Sequence, residues 1–312
     1  MTSSHKKLKP NFAVLMATHN GYSWVQEQIE SILSQIEVDI TLIVSDDDSY
    51  DGTYEYLQVI GRSNSKIHLL PRVKRFGNAA QNFYHLIRSS SLKGFDYVAL
   101  SDQDDIWVED KLSHAIQHMK RYQADCYSSD VMAFWENGKT KPIKKSQAQT
   151  QYDYLFESAG PGCTFVMTGQ SMDAFKSHIS KSKNNVDEIL HHDWLIYAFM
   201  RSRQFNWVID DYLGVHYRQH KANEMGVHVG FKASLKRVRN ILSGSWLWQV
   251  RMVASFCGQP QKKFINHYLK LKHERFFSLT LKVRLFRRRS RDACALFFIF
   301  LSLGLKKLFT RP

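Results

Sequence analysis

The 312-residue chain has only four cysteines, Cys126, Cys163, Cys257 and Cys294, and no two of them stand in a CxxC spacing. That scatter excludes a disulfide-stapled scaffold and a cysteine zinc site, and it fits a reducing compartment. Long apolar runs are also missing. The opening MTSSHKKLKPNFAVLMATHNG has no stretch long enough for a signal peptide, and its FAVLMA is of strand length. Near the other end, ACALFFIFLSLGL (Ala293 to Leu305) has 13 residues, too few to span a bilayer as a helix. No internal repeat is visible. With 44% apolar and 13% aromatic residues, wholesale disorder is excluded, and the length suits one large core or a domain with a smaller appendage.

Acidic residues are nearly absent from the last quarter of the chain. Residues 231–312 carry 19 Lys/Arg against Glu274 and Asp292, a net +17, while the preceding 230 residues carry 24 against 27, a net −3. The overall +14 therefore describes a nearly neutral body followed by a basic tail. Such a tail suggests an anionic partner, either nucleic acid or the inner face of a membrane; the plain alternative is a solvated helical face. Flanked by RRRSR and KK, Ala293 to Leu305 suggests an interfacial helix lying among lipid headgroups, the alternative being a core helix that closes the domain.

The first 125 residues alternate between short apolar runs and helix-period segments. FAVLMA (Phe12 to Ala17), ITLIVS (Ile40 to Ser45), KIHLL (Lys66 to Leu70) and DYVALS (Asp96 to Ser101) read as strands, each followed by apolar residues at helical spacing. Short links between them imply right-handed crossovers and a largely parallel sheet, in which ligands bind beyond the carboxyl ends of the strands. Strand candidates continue around VMAFW and CTFVM, with a helix near residues 190–200. The polar, basic Gly138 to Gln151 reads as a mobile loop, and beyond residue 230 the pattern is helical.

Polar clusters sit at the strand ends: Thr18-His19-Asn20-Gly21, then Asp46-Asp47-Asp48, then Ser101-Asp102-Gln103-Asp104-Asp105. Three clusters on one rim make a site. Carboxylates this close repel and raise one another's pKa unless a cation sits among them. Asp102 and Asp104 project to one face if the backbone is extended there, and such a pair suits Mg2+ or Mn2+ holding a diphosphate. Trp107 reads as packing beneath this loop.

The ordered set ATHNG, SDDDSYDGT, GNAAQNF, DYVALSDQDDIW with DKL, GPGCTF, HHDW and YRQHKANEMG resembles family 2 glycosyltransferases, and among them the bacterial rhamnosyltransferases that build O-antigens, capsules and cell-wall polysaccharides. The resemblance covers roughly residues 11–250. It implies an α/β GT-A fold, Rossmann-like with a mostly parallel central sheet flanked by helices, over residues 1–230. Residues 231–312 would then form a basic, helical, membrane-associating extension. It also implies a metal-dependent enzyme that uses a nucleotide-sugar donor and inverts the anomeric centre. By the same resemblance, Thr18, Asn20, Asp46, Asp47, Asn82, Asp102, Arg218 and His220 bind the donor; Asp102, Asp104 and His220 hold Mg2+ or Mn2+; and Asp193 is the catalytic base. Gly162, Cys163 and Trp194 fall on the acceptor side. Two positions depart from the family pattern, His19 where Tyr is usual and Asp48 in the loop usually written DDGS or DDCS, and they leave the donor base open.

Each residue also has a plainer role. Asp193 suits an N-cap for the helix after it; His220 suits a structural histidine, and Arg218 a salt bridge. Next to Arg218 and Lys221, His220 could also face phosphate oxygens. His191 and His192, adjacent on a helix, point different ways and lack a third ligand for zinc. The leading expectation is a transferase moving L-rhamnose from dTDP-rhamnose onto a lipid-linked oligosaccharide, peripheral at the cytoplasmic face of the bacterial inner membrane, with no nucleic acid bound. The alternatives are transfer of another hexose from a UDP-sugar, a nucleic-acid-binding module built on the basic region, and a metal-dependent phosphohydrolase.

Overall fold

A computed structural model describes residues 9–73, 75–182, 186–220, 244–269 and 273–309. The expectations for residues 1–8, for Lys221 to Gly226 and for a boundary at 230/231 lie outside the described residues.

FAVLMA forms the middle of β1 (Asn11–Thr18), buried from Phe12 to Thr18. Phe12, Val14 and Met16 enter one apolar cluster, Ala13, Leu15 and Ala17 the other, as the two-residue period of a strand requires. A strand apolar on both faces must be covered on both, which is why it lies centrally in a parallel sheet. After α1 (Val25–Leu33) come β2 (Asp39–Asp46), α2 (Thr53–Ser63), β3 (Ile67–Leu69), α3 (Ala79–Ser89) and β4 (Tyr97–Ser101). β1 pairs in parallel with β2 and β4, and β2 with β3. The four strands expected here are all present.

β5 (Ile106–Trp107) and α4 (Lys111–Arg121) follow the acidic loop, then β6 (Cys126–Ser129) and β7 (Val131–Trp135). β8 (Thr140–Ile143), β9 (Val166–Thr168), α5 (Gly169–Lys181), α6 (His192–Ser202), β10 (Trp207–Asp210) and β11 (Val215–Gln219) complete the body. The main sheet has seven strands in the order β10-β6-β9-β4-β1-β2-β3, with β9 antiparallel to both neighbours. A second sheet, β5-β11-β7-β8, stands at its carboxyl edge, because the chain leaves β6 at Ser129 and enters β7 two residues later.

The stretch Gly138 to Gln151 is not the free loop its polarity suggests. Thr140–Ile143 pairs antiparallel with β7, and Asp130 accepts the backbone N–H groups of Lys145 and Ser146. Its polar composition is that of an edge strand facing solvent.

The chain ends in α7 (Ser245–Cys257), α8 (Gln259–Leu269), α9 (His273–Thr280) and α10 (Ser290–Phe309). Ala293, Leu296, Phe300 and Leu303 of α10 are buried in the cluster that also holds Leu15, Phe83 and Phe199. One face of α10 is thus core, with roughly 1.5–3 kcal/mol from each fully buried large side chain. The opposite face exposes Phe298 (58%) and Leu305. Among the described residues, no helix is long and apolar enough to cross a membrane.

Candidate active site

The polar clusters meet at the carboxyl ends of β1, β2 and β4, as strand order dictates. Asp46 ends β2 fully buried and surrounded by donors. Its Oδ2 accepts the Thr18 hydroxyl (2.9 Å) and the Ser49 hydroxyl, and its Oδ1 accepts the Ser49 N–H and the Arg72 guanidinium, both at 2.9 Å. Asn82, also buried, donates to the carbonyls of Thr18 (3.2 Å) and Ser45 (3.0 Å), tying the ends of β1 and β2 together. Asp47 turns the other way and accepts the backbone N–H groups of Phe76 and Gly77. Thr18, Asp46 and Asn82, expected to touch the donor, come together at these strand ends: Thr18 is hydrogen-bonded to Asp46, and Asn82 Oδ1 is buried with no hydrogen-bond partner among the described residues.

Asn20 is half-buried. It adopts left-handed φ (47°), a conformation asparagine tolerates, and its Oδ1 accepts the Tyr50 N–H at 3.0 Å. Asp48 is also left-handed, and its carboxylate lies 3.5 Å from Arg72. That pairing offsets the extra charge noted in the loop.

The acidic loop bends at Gln103 and Asp104, so the extended backbone on which Asp102 and Asp104 were expected to share a face is not the one found. Asp104 Oδ2 lies 2.8 Å from His220 Nε2, and the His220 ring stacks on Trp24 at 3.9 Å. Arg218 donates from Nε to the Asp104 carbonyl (2.8 Å), ion-pairs with Glu27, and gives its backbone N–H to Asp105 Oδ1 (3.1 Å). Arg218 thus makes the salt bridge that its type suggested, beside the acidic loop. Asp102, Asp105 and the Cys163 sulfur lie within 4.8 Å of one another.

Asp105 is fully buried and its Oδ2 has no hydrogen-bond partner among the described residues. Burial first, then the Asp104 and Asp102 carboxylates, push its carboxyl well above the usual range. Beneath it, Lys111 Nζ sits 3.4 Å from the centroid of the Trp107 ring, and burial brings its amine down to about 7. Trp107 lies under the loop, as read from the sequence. An oxygen-rich cluster with unrelieved repulsion and an orphaned buried carboxylate oxygen fits a hard divalent cation.

Asp193 is the second residue of α6, not its N-cap, which is His191; its Oδ1 accepts the Trp194 N–H at 2.7 Å. Lys145 lies in the electrostatic reach of Asp193, Glu157, Arg288 and Arg289. Two of the residues expected on the acceptor side have buried side chains. Cys163 is buried with its sulfur within 4.8 Å of the Asp102 and Asp105 carboxylates, and burial chiefly pushes its thiol upward. Trp194 is buried and its indole donates to the Tyr154 carbonyl (2.9 Å). Both are apolar enough to be drawn into the core. Gly162 abuts His192, since a Cβ there would lie 2.6 Å from His192 Nε2.

Sequence reasoning missed Gln103, Trp24 and Lys145. Gln103 accepts the His19 N–H and donates to the His19 carbonyl, both at 2.8 Å, and so clasps the acidic loop to the rim of β1. Its position inside SDQDD was the one available signal.

The glycosyl transferase family 2 profile matches residues 13–179. The chain is 41% identical over 255 residues to "dTDP-rhamnosyl transferase RfbG" of Shigella flexneri, covering 81% of this chain and 88% of that protein. It is 27% identical over 162 residues to the Escherichia coli "UDP-Glc:alpha-D-GlcNAc-diphosphoundecaprenol beta-1,3-glucosyltransferase WfgD", covering 51% of this chain and 60% of that one. Among solved structures, S. aureus TarS in complex with UDP superposes with a TM-score of 0.53 at 13% identity, covering 95% of this chain and 88% of that one, a likeness of fold. The mostly parallel sheet flanked by helices is the GT-A fold, and the chain belongs to glycosyl transferase family 2.

Proposed function

We propose that this glycosyltransferase moves L-rhamnose from dTDP-rhamnose onto a lipid-linked oligosaccharide in the synthesis of a bacterial surface polysaccharide, at the cytoplasmic face of the inner membrane. The observation that carries the reading is the 41% identity, over 81% of the chain, to a dTDP-rhamnosyl transferase. The lipid-linked acceptor is supported by the more distant relative whose name specifies a diphosphoundecaprenol.

In this reading the nucleoside lies over the floor built by Thr18, Asp46 and Asn82, with Asn20 and Asp47 at its rim. The diphosphate is held at the acidic loop, where Asp102, Asp104 and His220 would hold Mg2+ or Mn2+. That cation supplies neutralisation of the charge gathering on the departing diphosphate. Asp193 accepts the proton of the acceptor hydroxyl as that oxygen attacks the anomeric carbon from the face opposite the diphosphate, inverting the centre. Its hydrogen bond to Trp194 N–H holds the carboxylate in one orientation. Lys145 lies within electrostatic reach of Asp193, where its amine would suit an anionic acceptor. Gly162 leaves His192, the neighbour of the base, the space it occupies.

The test is release of nucleoside diphosphate from a panel of dTDP-, UDP- and GDP-sugars, with Mg2+ or Mn2+ and with EDTA, in the presence of membrane lipid extract as acceptor. Turnover of dTDP-rhamnose that is abolished by EDTA and lowered about 1,000-fold by Asp193→Asn is expected, a loss within the usual range for removal of a general base. Release only from a UDP-sugar would leave the transferase and remove rhamnose. Free phosphate instead of a nucleoside diphosphate would identify a phosphohydrolase.

A further inference from the structure

A second group of titratable side chains lies away from the acidic loop. His114 and His118 are four residues apart on α4, so both rings leave one face of the helix. Facing them is the buried Asp210, the last residue of β10. His114 Nε2 is 2.8 Å and His118 Nδ1 3.3 Å from Asp210 Oδ2, and the Tyr127 hydroxyl donates to the same oxygen at 3.0 Å. One ligating atom from each of His114, His118 and Asp210 falls within a mutual 4.8 Å. Tyr212 stacks on His114 at 3.9 Å, and the Tyr122 ring lies 4.7 Å from that of His118. The histidine side chains are 33% and 19% exposed, so a small ion can reach them from solvent.

Two imidazole nitrogens and one carboxylate oxygen are borderline donors. Zinc bound by such atoms at about 2.0–2.2 Å has ligand-to-ligand edges of about 3.4 Å when tetrahedral, close to the separations seen around Asp210 Oδ2. The acidic loop, by contrast, offers mainly hard oxygens. We propose that His114, His118 and Asp210 form a second cation site, for a borderline transition-metal dication of the Zn2+ class, with Tyr127 orienting Asp210 from outside and the fourth position open to water. Nitrogen-rich sites favour Co2+, Ni2+ and Zn2+ over Mg2+. The ion pins α4 to the end of β10, and Tyr212 of the 211–214 segment stacks on His114. That segment leads into β11, and Arg218 of β11 and His220 just after it meet the acidic loop.

The experiment uses the untagged full chain, stripped with EDTA and desalted, titrated with Co2+ and followed by visible absorption. One equivalent should give bands of tetrahedral intensity that Zn2+ bleaches and a large excess of Mg2+ leaves unchanged. His114→Gln, at the more exposed of the two rings, should weaken Co2+ binding by at least about 100-fold, and Tyr127→Phe by about 10-fold. Asp104→Asn should leave the bands intact. The Tm in EDTA reports whether each variant is folded, and Zn2+ should raise the Tm of the unsubstituted protein but not of His114→Gln. Only weak octahedral absorption from the unsubstituted protein would overturn the site, whatever the variants do. So would bands that survive His114→Gln or vanish with Asp104→Asn.

Discussion

His192 stacks on Phe83 with ring centroids 3.9 Å apart, and its Nε2 is buried with no hydrogen-bond partner among the described residues. Burial pulls the imidazole down from 6.5 to about 4, against the opposing pull of the Asp193 carboxylate. The unfolded chain therefore takes up a proton near pH 6.5 that the native protein refuses until about 4. Stability is unaffected by this group above pH 6.5 and falls as pH drops towards 4, by up to about 3 kcal/mol. His192→Leu removes the proton while leaving an apolar side chain on Phe83. Any cavity it opens costs the same at every pH, so the slope is what matters and not the absolute stability. Urea unfolding at several pH values between 7 and 4.5 should give a shallower acid limb for the variant. An unchanged slope would assign the acid sensitivity to another group.

Among the elements, the contact between the β1 rim and the acidic loop depends on one glycine. A Cβ on Gly21 would lie 2.1 Å from Gln103 Oε1, so Gly21→Ala must expel the Gln103 amide and break both of its bonds to His19. At roughly 0.5–1.5 kcal/mol for each hydrogen bond, the variant should lose about 1–3 kcal/mol. In the proposed reading, its donor KM rises more than its kcat falls. Gln103→Ala removes the obstacle, so the double variant should be no less stable than Gln103→Ala alone, a strong departure from additivity. Additive losses would mean that Gly21 is needed for something other than this clasp. Such a clasp has no periodicity and could not be read from the sequence. β1, β2 and β4 were legible because burial on both faces writes a continuous apolar run. β8 was not, because Thr140–Ile143 is an edge strand with three of its four residues exposed. Asp46 and Asp193 were visible as types of residue, but whether a carboxylate faces a ligand or its own neighbours depends on contacts distant in sequence. The burial of Cys163 and Trp194 was not legible on that account.

For the molecule as a whole, the question is how much of the basic tail faces outward. The count of 19 Lys/Arg against two acids over residues 231–312 treats all as equal, and they are not. The Arg288 side chain is 2% exposed; it lies 3.4 Å from Asp153 and donates to the Ser158 carbonyl at 2.6 Å. Arg287 lies 3.5 Å from Glu157. These two arginines lock the tail onto the body and are taken out of any membrane-facing set. Among the described residues, what remains outward includes Leu281 (87% exposed), Phe298 and Leu305, together with the exposed Lys262, Lys263, Arg284 and Arg291. Deleting residues 280–312 would strip Phe286, Leu296 and Phe300 from the core, so loss of membrane binding on truncation would only report unfolding. Surface substitutions separate the two. Phe298→Glu with Leu281→Glu should leave the Tm within a few degrees and lower sedimentation with phosphatidylglycerol-containing vesicles by roughly 10-fold or more, given about 0.8 kcal/mol for each buried methylene. Arg288→Met should do the opposite. Breaking a buried ion pair costs about 3–5 kcal/mol, while vesicle binding of the folded fraction stays the same. Raising the salt should weaken vesicle binding of the unsubstituted protein, since the attraction to anionic lipid is screened within about 10 Å at 0.1 M. Vesicle binding that survives both the glutamates and high salt would remove this face of the tail as the membrane contact.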